Sequence, residues 1–352
     1  MTAWGLCRTI AVLALFLGAG PVLAADEPPQ PPFADWVKAL RVDALKEGIK
    51  GETFDAAFKG VEPIAKVVEL DRKQPEFTQT FPDYLTARLT EARIARGQEM
   101  LSAHEKELDA VADKYHVEPS VIAAIWGMET NYGSFMGSYS VVASLATLAY
   151  DTRRSTYFRK ELINALKILD AGNTTPEAMK GSWAGAMGQS QFMPSSFLAY
   201  AQDFDGDGRR DIWGTPVDVF ASIANYLGVH GWSGAGWGVA VRLPEGFDRK
   251  RADIAQKEAP SSCRRALDEH SVALPLARWR SMGLKAADGA DLPDRPDIKA
   301  SLVVMEDGKG PAYLTYPNYR AILSYNCSNF YALAVGLLSD ALRQPQVEAL
   351  AR

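Results

Sequence analysis

The stretch PSVIAAIWGMETNYG runs from Pro119 to Gly133 and carries much of what can be read about this chain. Proline suits the first turn of a helix, where an N–H would lack a partner anyway. The mostly apolar run predicts a helix over Pro119–Met128, with Gly133 as a stop. Glu129 ends that run, flanked by Trp126, Met128, Tyr132 and Phe135. A carboxyl group among such neighbours is poorly solvated when ionised. Its pKa is expected to rise into the range that suits a general acid near neutral pH. A glutamate at a helix end is also an ordinary solvated surface residue, and the segment alone leaves both readings open.

A second stretch, SWAGAMGQSQFMPSS, covers Ser182 to Ser196. Its small residues let the backbone approach another surface. The amides of Gln189 and Gln191 suit hydrogen bonds to sugar hydroxyl or acetamido groups, and Trp183 and Phe192 offer apolar faces for rings. The other reading is a tight, glycine-rich contact between helices.

Around these segments lie 352 residues, 47% of them apolar and 23% charged, with a formal net charge of −5. This is ordinary globular composition with room for two or three packed lobes. No basic run stands out, which argues against an electrostatic nucleic-acid binder. No apolar stretch reaches the length of a membrane span. Residues 1–24 read as a secretory signal: Arg8, then the apolar run Ile10–Leu17, then a small-residue cleavage site at Val22–Ala24. No cysteine sits at the cleavage point, so no lipid anchor is expected. Residues 25–32 form a Pro-rich leader. Cleavage would remove Cys7 and leave Cys263 and Cys327, either as a disulfide suited to an oxidising compartment or as two buried thiols.

Apolar residues at three- and four-residue spacing predict a helical lobe over 33–115. A core is expected over 116–236, with helices at Tyr157–Leu169, Ser195–Ala201 and Val217–Val229. Short alternating runs at Val239–Leu243, Ala300–Met305 and Tyr313–Tyr316 predict a small strand-containing lobe over 237–320. Residues 321–344 should return to the core as a helix over Asn329–Ala341, leaving 345–352 as a tail. The expected class is mainly α, with α+β character.

The segments ETNYG and SWAGAMGQSQFMPSS occur in order with His230-Gly231-Trp232 and Tyr325-Asn326-Cys327-Ser328. Together they resemble the lytic murein transglycosylases of the B type, glycoside hydrolase family 103, over roughly Phe33 to Leu342. The resemblance implies a lysozyme-like core and cleavage of the β-1,4 bond between N-acetylmuramic acid and N-acetylglucosamine in peptidoglycan. There the muramoyl C6 hydroxyl, not water, closes onto C1 and leaves a 1,6-anhydro end. It also implies one glutamate acting first as acid and then as base, matched by Glu129. Ser182, Gln191, Phe192, Tyr226, Tyr325 and Asn326 fall on substrate-groove positions, and Arg153 and Arg154 on a pair that meets the acidic lactyl or peptide portion. An ordinary glycosidase needs two carboxyl groups across the bond. The nearest second candidates here, Asp151 and Glu161, lack a comparable apolar setting.

Residues 203–211, DFDGDGRRD, place carboxylates Asp203, Asp205 and Asp207 at positions 1, 3 and 5 of a calcium loop, with Gly206 at 6 and the Arg209 carbonyl at 7. Asp211 stands at position 9. Position 12 is Gly214, where such loops carry a bidentate glutamate, and the resemblance supplies Asp218 instead. A structural Ca²⁺ is expected, because hard oxygen ligands in a flexible loop favour it over Zn²⁺. A bare Asp/Gly turn is the other reading. No organic cofactor is expected, and no zinc or nucleophile motif competes: His104, His116, His230 and His270 are scattered, with His230 read as structural.

These readings converge on an exported, monomeric enzyme acting on peptidoglycan strands, placed by the resemblance in the periplasm of a Gram-negative bacterium. A hydrolase using water, or a catalytically silent wall-binding protein, are the rival readings.

Overall fold

The computed structural model describes residues 30–73, 79–249, 254–255 and 263–344. The segments read as a signal peptide and a tail, and most of the Pro-rich leader, lie outside them. The helical lobe begins with α1 (Phe33–Lys46), α2 (Gly51–Ala57), α3 (Ala65–Lys73), α4 (Phe81–Arg88), α5 (Glu91–Ala103) and α6 (Glu105–Tyr115). The core follows as α7 (Pro119–Thr130), α8 (Val141–Tyr150), α9 (Ser155–Asp170), α10 (Pro194–Tyr200) and α11 (Pro216–Val229). A short antiparallel pair, β1 (Tyr139–Ser140) and β2 (Lys180–Gly181), sits within the core.

Local chemistry sets several of these boundaries. The apolar periodicity runs unbroken across Leu89 and Thr90, yet two helices form there. The Thr90 hydroxyl accepts from the Arg93 amide at 3.2 Å and starts α5 afresh. Ser140 caps α8 in the same way. Helix α8, VVASLATLAY, is buried on nearly every side, so it has no polar face and no helical period to read. It packs along α9, while α7 packs against α5 and α16. Ile122, Ile125 and Leu145 are wholly buried in this core, each stabilising it by about 1.5–3 kcal/mol.

The last third holds β3 (Gly238–Arg242), α12 (Arg264–Leu267), β4 (Leu274–Pro275), α13 (Leu276–Ser281), β5 (Lys285–Ala286), β6 (Lys299–Val304), α14 (Met305–Gly308), β7 (Ala312–Thr315), α15 (Tyr319–Tyr325) and α16 (Asn329–Arg343). The strands form one antiparallel sheet ordered β4-β6-β7-β3-β5. Leu302 pairs with Leu314, and Val303 with Tyr313. Alternation then divides the sheet. Leu302, Val304 and Leu314 join Trp279 and Leu276 in a small core of the lobe, while Val303 and Tyr313 face the main core. Two helices, α15 and α16, return to the core where a single one was expected, and α15 begins inside the span assigned to the strand lobe. Cys263 and Cys327 form a disulfide with Cα atoms 5.1 Å apart, which ties the start of α12 to the α15–α16 connection.

Candidate active site

Helix α7 ends at Thr130, one residue past Glu129, and the chain then makes an unusual turn. Asn131, Tyr132 and Gly133 have φ of 49°, 59° and 75°, all in the left-handed region. For Asn131 and Tyr132 this costs about 1–2 kcal/mol each. Packing over-determines the conformation. The Tyr132 ring lies in a socket made by two glycines: a Cβ on Gly127 would meet Tyr132 Cζ at 2.6 Å, and one on Gly97 would meet Tyr132 Oη at 2.2 Å. The Tyr132 hydroxyl donates to the Arg93 carbonyl at 3.1 Å, and Arg93 Nε donates to Asn131 Oδ1 at 3.3 Å. Thr130 Oγ1 accepts from the Gly133 amide at 3.1 Å, closing the turn. Helix α5 thus holds the end of α7 in place.

Glu129 keeps part of its surface open although dense packing surrounds its carboxyl group. The Tyr331 hydroxyl, on α16, donates to Glu129 Oε1 at 2.6 Å. Burial raises the Glu129 pKa to about 7, and the Tyr331 hydrogen bond pulls the other way with less effect. The group therefore holds a proton near neutrality and can give it up or take it back. With Oε1 engaged by Tyr331, Oε2 is the atom available for exchange.

Tyr325, on α15, is close enough to Glu129 that the carboxylate charge helps raise its phenol pKa, after burial. Its hydroxyl donates to the Ser190 carbonyl at 2.6 Å. Tyr226, on α11, lies with its ring 4.8 Å from that of Tyr325, and Phe192 lies 5.7 Å from both. The Tyr226 hydroxyl donates to the Ser324 carbonyl at 2.6 Å. His230 stacks on Tyr226 at 4.2 Å and bonds its carbonyl through Nδ1. Asn326 is exposed beside this group.

Several sequence-predicted residues have structural occupations. Gln189 is 8% exposed; its Oε1 accepts from Trp126 Nε1 at 2.8 Å and its Nε2 donates to the Trp213 carbonyl at 2.9 Å. Both ends of its amide are engaged inside the protein, so the sugar contact expected of it is corrected to a brace between α7 and the loop before α11. Gln191 has φ of 50° and donates from Nε2 to the carbonyls of Met136 and Gly188. Phe192 is only 2% exposed and backs the tyrosines rather than offering an open ring face. The Ser182 hydroxyl accepts from the amides of Ala184 and Ala186, fixing the glycine-rich loop. Arg153 and Arg154 both bind the buried Asp71 carboxylate on α3. None of their hydrogen bonds reaches the Glu129 group.

Asp151 and Glu161 are likewise engaged. Asp151 accepts from Arg72 and from the Arg153 amide. Glu161 is buried and accepts from the Ser195 amide at 2.8 Å, capping α10. Tyr331 was missed by sequence reasoning. Its place two turns from Tyr325 carries no spacing signal, because a turn of loop separates α15 from α16.

In the acidic loop, carboxylate oxygens of Asp203, Asp205 and Asp218 lie within 4.8 Å of one another. Asp218 is fully buried, and its two oxygens accept from the Phe204 and Asp211 amides at 2.7 and 2.9 Å. Burial, then the charges of Asp205 and Asp203, raise its pKa against the pull of those amides. Three converging all-oxygen donors, one of them buried, fit a hard cation. Asp207 stands outside this cluster, forked by its own Arg209 at 2.8 and 3.2 Å. Asp211 caps the amides of Trp213 and Gly214 instead of facing the cluster.

A helical core with a part-buried glutamate at a helix end and an attached strand lobe defines the lysozyme-like fold of lytic transglycosylases. The transglycosylase SLT domain matches residues 32–340, and the chain belongs to that family. Membrane-bound lytic murein transglycosylase B of Escherichia coli is 33% identical over 268 residues, which is 74% of this chain and 66% of that protein. SltB3 from Pseudomonas aeruginosa, solved with NAG-anhNAM-pentapeptide, superposes with a TM-score of 0.80 at 47% identity, over 88% of this chain and 79% of that one. The Escherichia coli lytic transglycosylase Slt35, solved with calcium, superposes at 0.69 with 29% identity, over 88% and 92%. Among the described residues no helix is long and apolar enough to cross a membrane.

Proposed function

We propose that this protein cleaves the MurNAc-β-1,4-GlcNAc bond of peptidoglycan with Glu129 as its only acid/base. The observation that carries the reading is the hydrogen-bonded, part-open Glu129 carboxyl with its pKa raised to about 7. A protonated Glu129 Oε2 gives its proton to the leaving glycosidic oxygen. The carboxylate so formed accepts the proton of the muramoyl C6 hydroxyl as that oxygen closes onto C1. One bond breaks, one forms, and Glu129 returns to its protonated state. Tyr331 holds Oε1 throughout. The engagement of Asp151 and Glu161 elsewhere supports a substrate-supplied nucleophile over a second protein carboxylate. The SltB3 complex, which carries an anhydro sugar, supports the same product.

Tyr226, Tyr325 and Asn326 form the groove wall beside Glu129 in this reading, with Phe192 behind them. Ser182 and Gln191 shape the facing loop through their turns. Arg153 and Arg154 keep exposed guanidinium surface beyond Asp71 that suits an acidic peptide portion. Asp203, Asp205 and Asp218, with the Asp207 carboxylate and the Arg209 carbonyl nearby, are the residues that would hold a structural Ca²⁺. That ion would neutralise the clustered carboxylates and pin the loop to α11. Residues 1–24 would export the chain to the periplasm and be removed.

Digestion of purified peptidoglycan followed by mass spectrometry tests the central claim. The expected products are about 18 Da lighter than hydrolysis products, having gained no water, and they vanish with Glu129→Gln. Full-mass reducing ends would overturn the single-carboxylate mechanism in favour of a hydrolase. Binding without any release would favour a wall-binding protein.

A further inference from the structure

Away from Glu129, a pocket of about 220 Å³ opens between the strand lobe and the main core. Its exposed surface is mostly apolar, as expected where two lobes meet, but several polar side chains also line it. His270, Ser301 and Thr315 are each nine-tenths or more buried there, and Lys299 and Arg320 line it as well. Leu267, Ala273 and Pro317 supply a small apolar wall. No aspartate or glutamate is among the lining residues.

The hydrogen bonds around His270 fix its state. Nε2 lies 3.0 Å from Asn329 Oδ1, an acceptor, so this nitrogen carries the hydrogen. Burial lowers the His270 pKa to about 4, and the positive charge of Arg320 adds to the effect. The ring is therefore neutral near pH 7, and Nδ1 is an acceptor. The Thr315 hydroxyl lies 3.3 Å from Nδ1 and 3.1 Å from the Ser301 carbonyl, with one hydrogen for both. The pocket's positive charge thus comes from Lys299 and Arg320 alone. Both residues are exposed, and among the described residues neither side chain has a hydrogen-bonded or ion-paired partner.

Two unpaired cations lining a small, mostly apolar recess, with no carboxylate among the lining residues, describe a receptor for one small anion that carries an apolar group. The volume lies under the usual range for larger organic ligands, which limits the occupant to a few heavy atoms beyond the anionic group. The apolar wall selects a methyl-sized side group beside it. We propose that this pocket binds the free carboxylate end of a short peptide whose last residue carries a small apolar side chain. The carboxylate lies between Lys299 and Arg320, and the terminal methyl group rests on Leu267, Ala273 and Pro317. This site is separate from the Glu129 groove and does not depend on the reaction proposed there.

Calorimetric titration of the full chain with N-acetyl-alanyl-alanine tests the proposal. The same titration is run with the C-terminal amide of that peptide, with acetate and with inorganic phosphate. The free acid is expected to bind about tenfold or more tightly than the amide, a difference of about 1.4 kcal/mol. The double variant K299Q/R320Q should lose about tenfold in affinity while its melting temperature and its release of muropeptides stay unchanged. Equal binding of acid and amide would overturn the proposal, as would full affinity in the double variant. Tight binding of phosphate without the peptide would overturn the peptide assignment, and absence of any binding at millimolar peptide would overturn the site.

Discussion

Two acidic regions of the core treat burial in opposite ways. The turn after α7 carries one carboxyl group, Glu129, with a single neutral donor, Tyr331, at 2.6 Å. The first turn of α11 carries Asp218 under two backbone amides, with Asp203 and Asp205 of the preceding loop close by. Desolvation raises both pKa values. At Glu129 nothing charged opposes it, so the group can cycle its proton near neutrality. At Asp218 the neighbours are negative and the amides favour a carboxylate, an arrangement that suits the cation proposed there. In the proposed function, identical side-chain chemistry is thus divided between proton transfer and metal holding by what surrounds it.

The sharpest break in this comparison is Glu129→Gln, which should lower muropeptide release by about 10²–10⁴-fold while leaving the acidic loop untouched. The same variant tests the cost of burial. The folded-state pKa of about 7 lies above the ordinary value of 4.5, so wild-type stability is complete below the ordinary value and is lost as pH rises through about 7. Glu129→Gln should accordingly gain melting temperature over wild type at pH 8 and match it at pH 4. Calorimetric scans at the two values check the sign.

Chelation should strike the other region. A cation held at about a hundred times its Kd adds ~2.7 kcal/mol, and its removal should cost several degrees in melting temperature. Asp205→Asn should show a reduced calcium response in the same assay, because Asp205 is exposed and its replacement spares the buried Asp218. Next in size is Gly127→Ala. The added Cβ would meet the Tyr132 ring at 2.6 Å, which should destabilise the fold by about 1–3 kcal/mol and lower activity in proportion to the displacement of Glu129. Denaturant unfolding and release assays together measure it. The smallest effect is that of Tyr331→Phe. It removes the one influence that lowers the Glu129 pKa, so the alkaline limb of the pH–rate profile should move upward.

The long amphipathic helices are legible because one face of each meets the core, and helix α9 falls within two residues of its expected bounds for that reason. Strand β6 falls within one residue of its expected bounds as a short apolar run, with both of its faces buried. Helix α8 was missed because an element buried all round has no period. The break at Thr90 was missed because a cap overrules an unbroken apolar repeat. At the site, the apolar run named Glu129 directly. The partners of the polar residues were not legible, since Gln189 meets Trp126 across 63 positions and Tyr331 meets Glu129 across 202. A sequence shows that an amide or phenol is present. Only the fold shows whether it is already spent.

The socket around Tyr132 also bears on how this protein can vary. Gly97 on α5, Gly127 on α7 and the ring after Glu129 occupy one volume from three separate places in the chain. Enlarging any one of them costs stability unless another gives up space. The three positions are coupled in variation: a change that enlarges either glycine is better tolerated where the ring is smaller, and a chain that keeps the ring is most stable with both glycines.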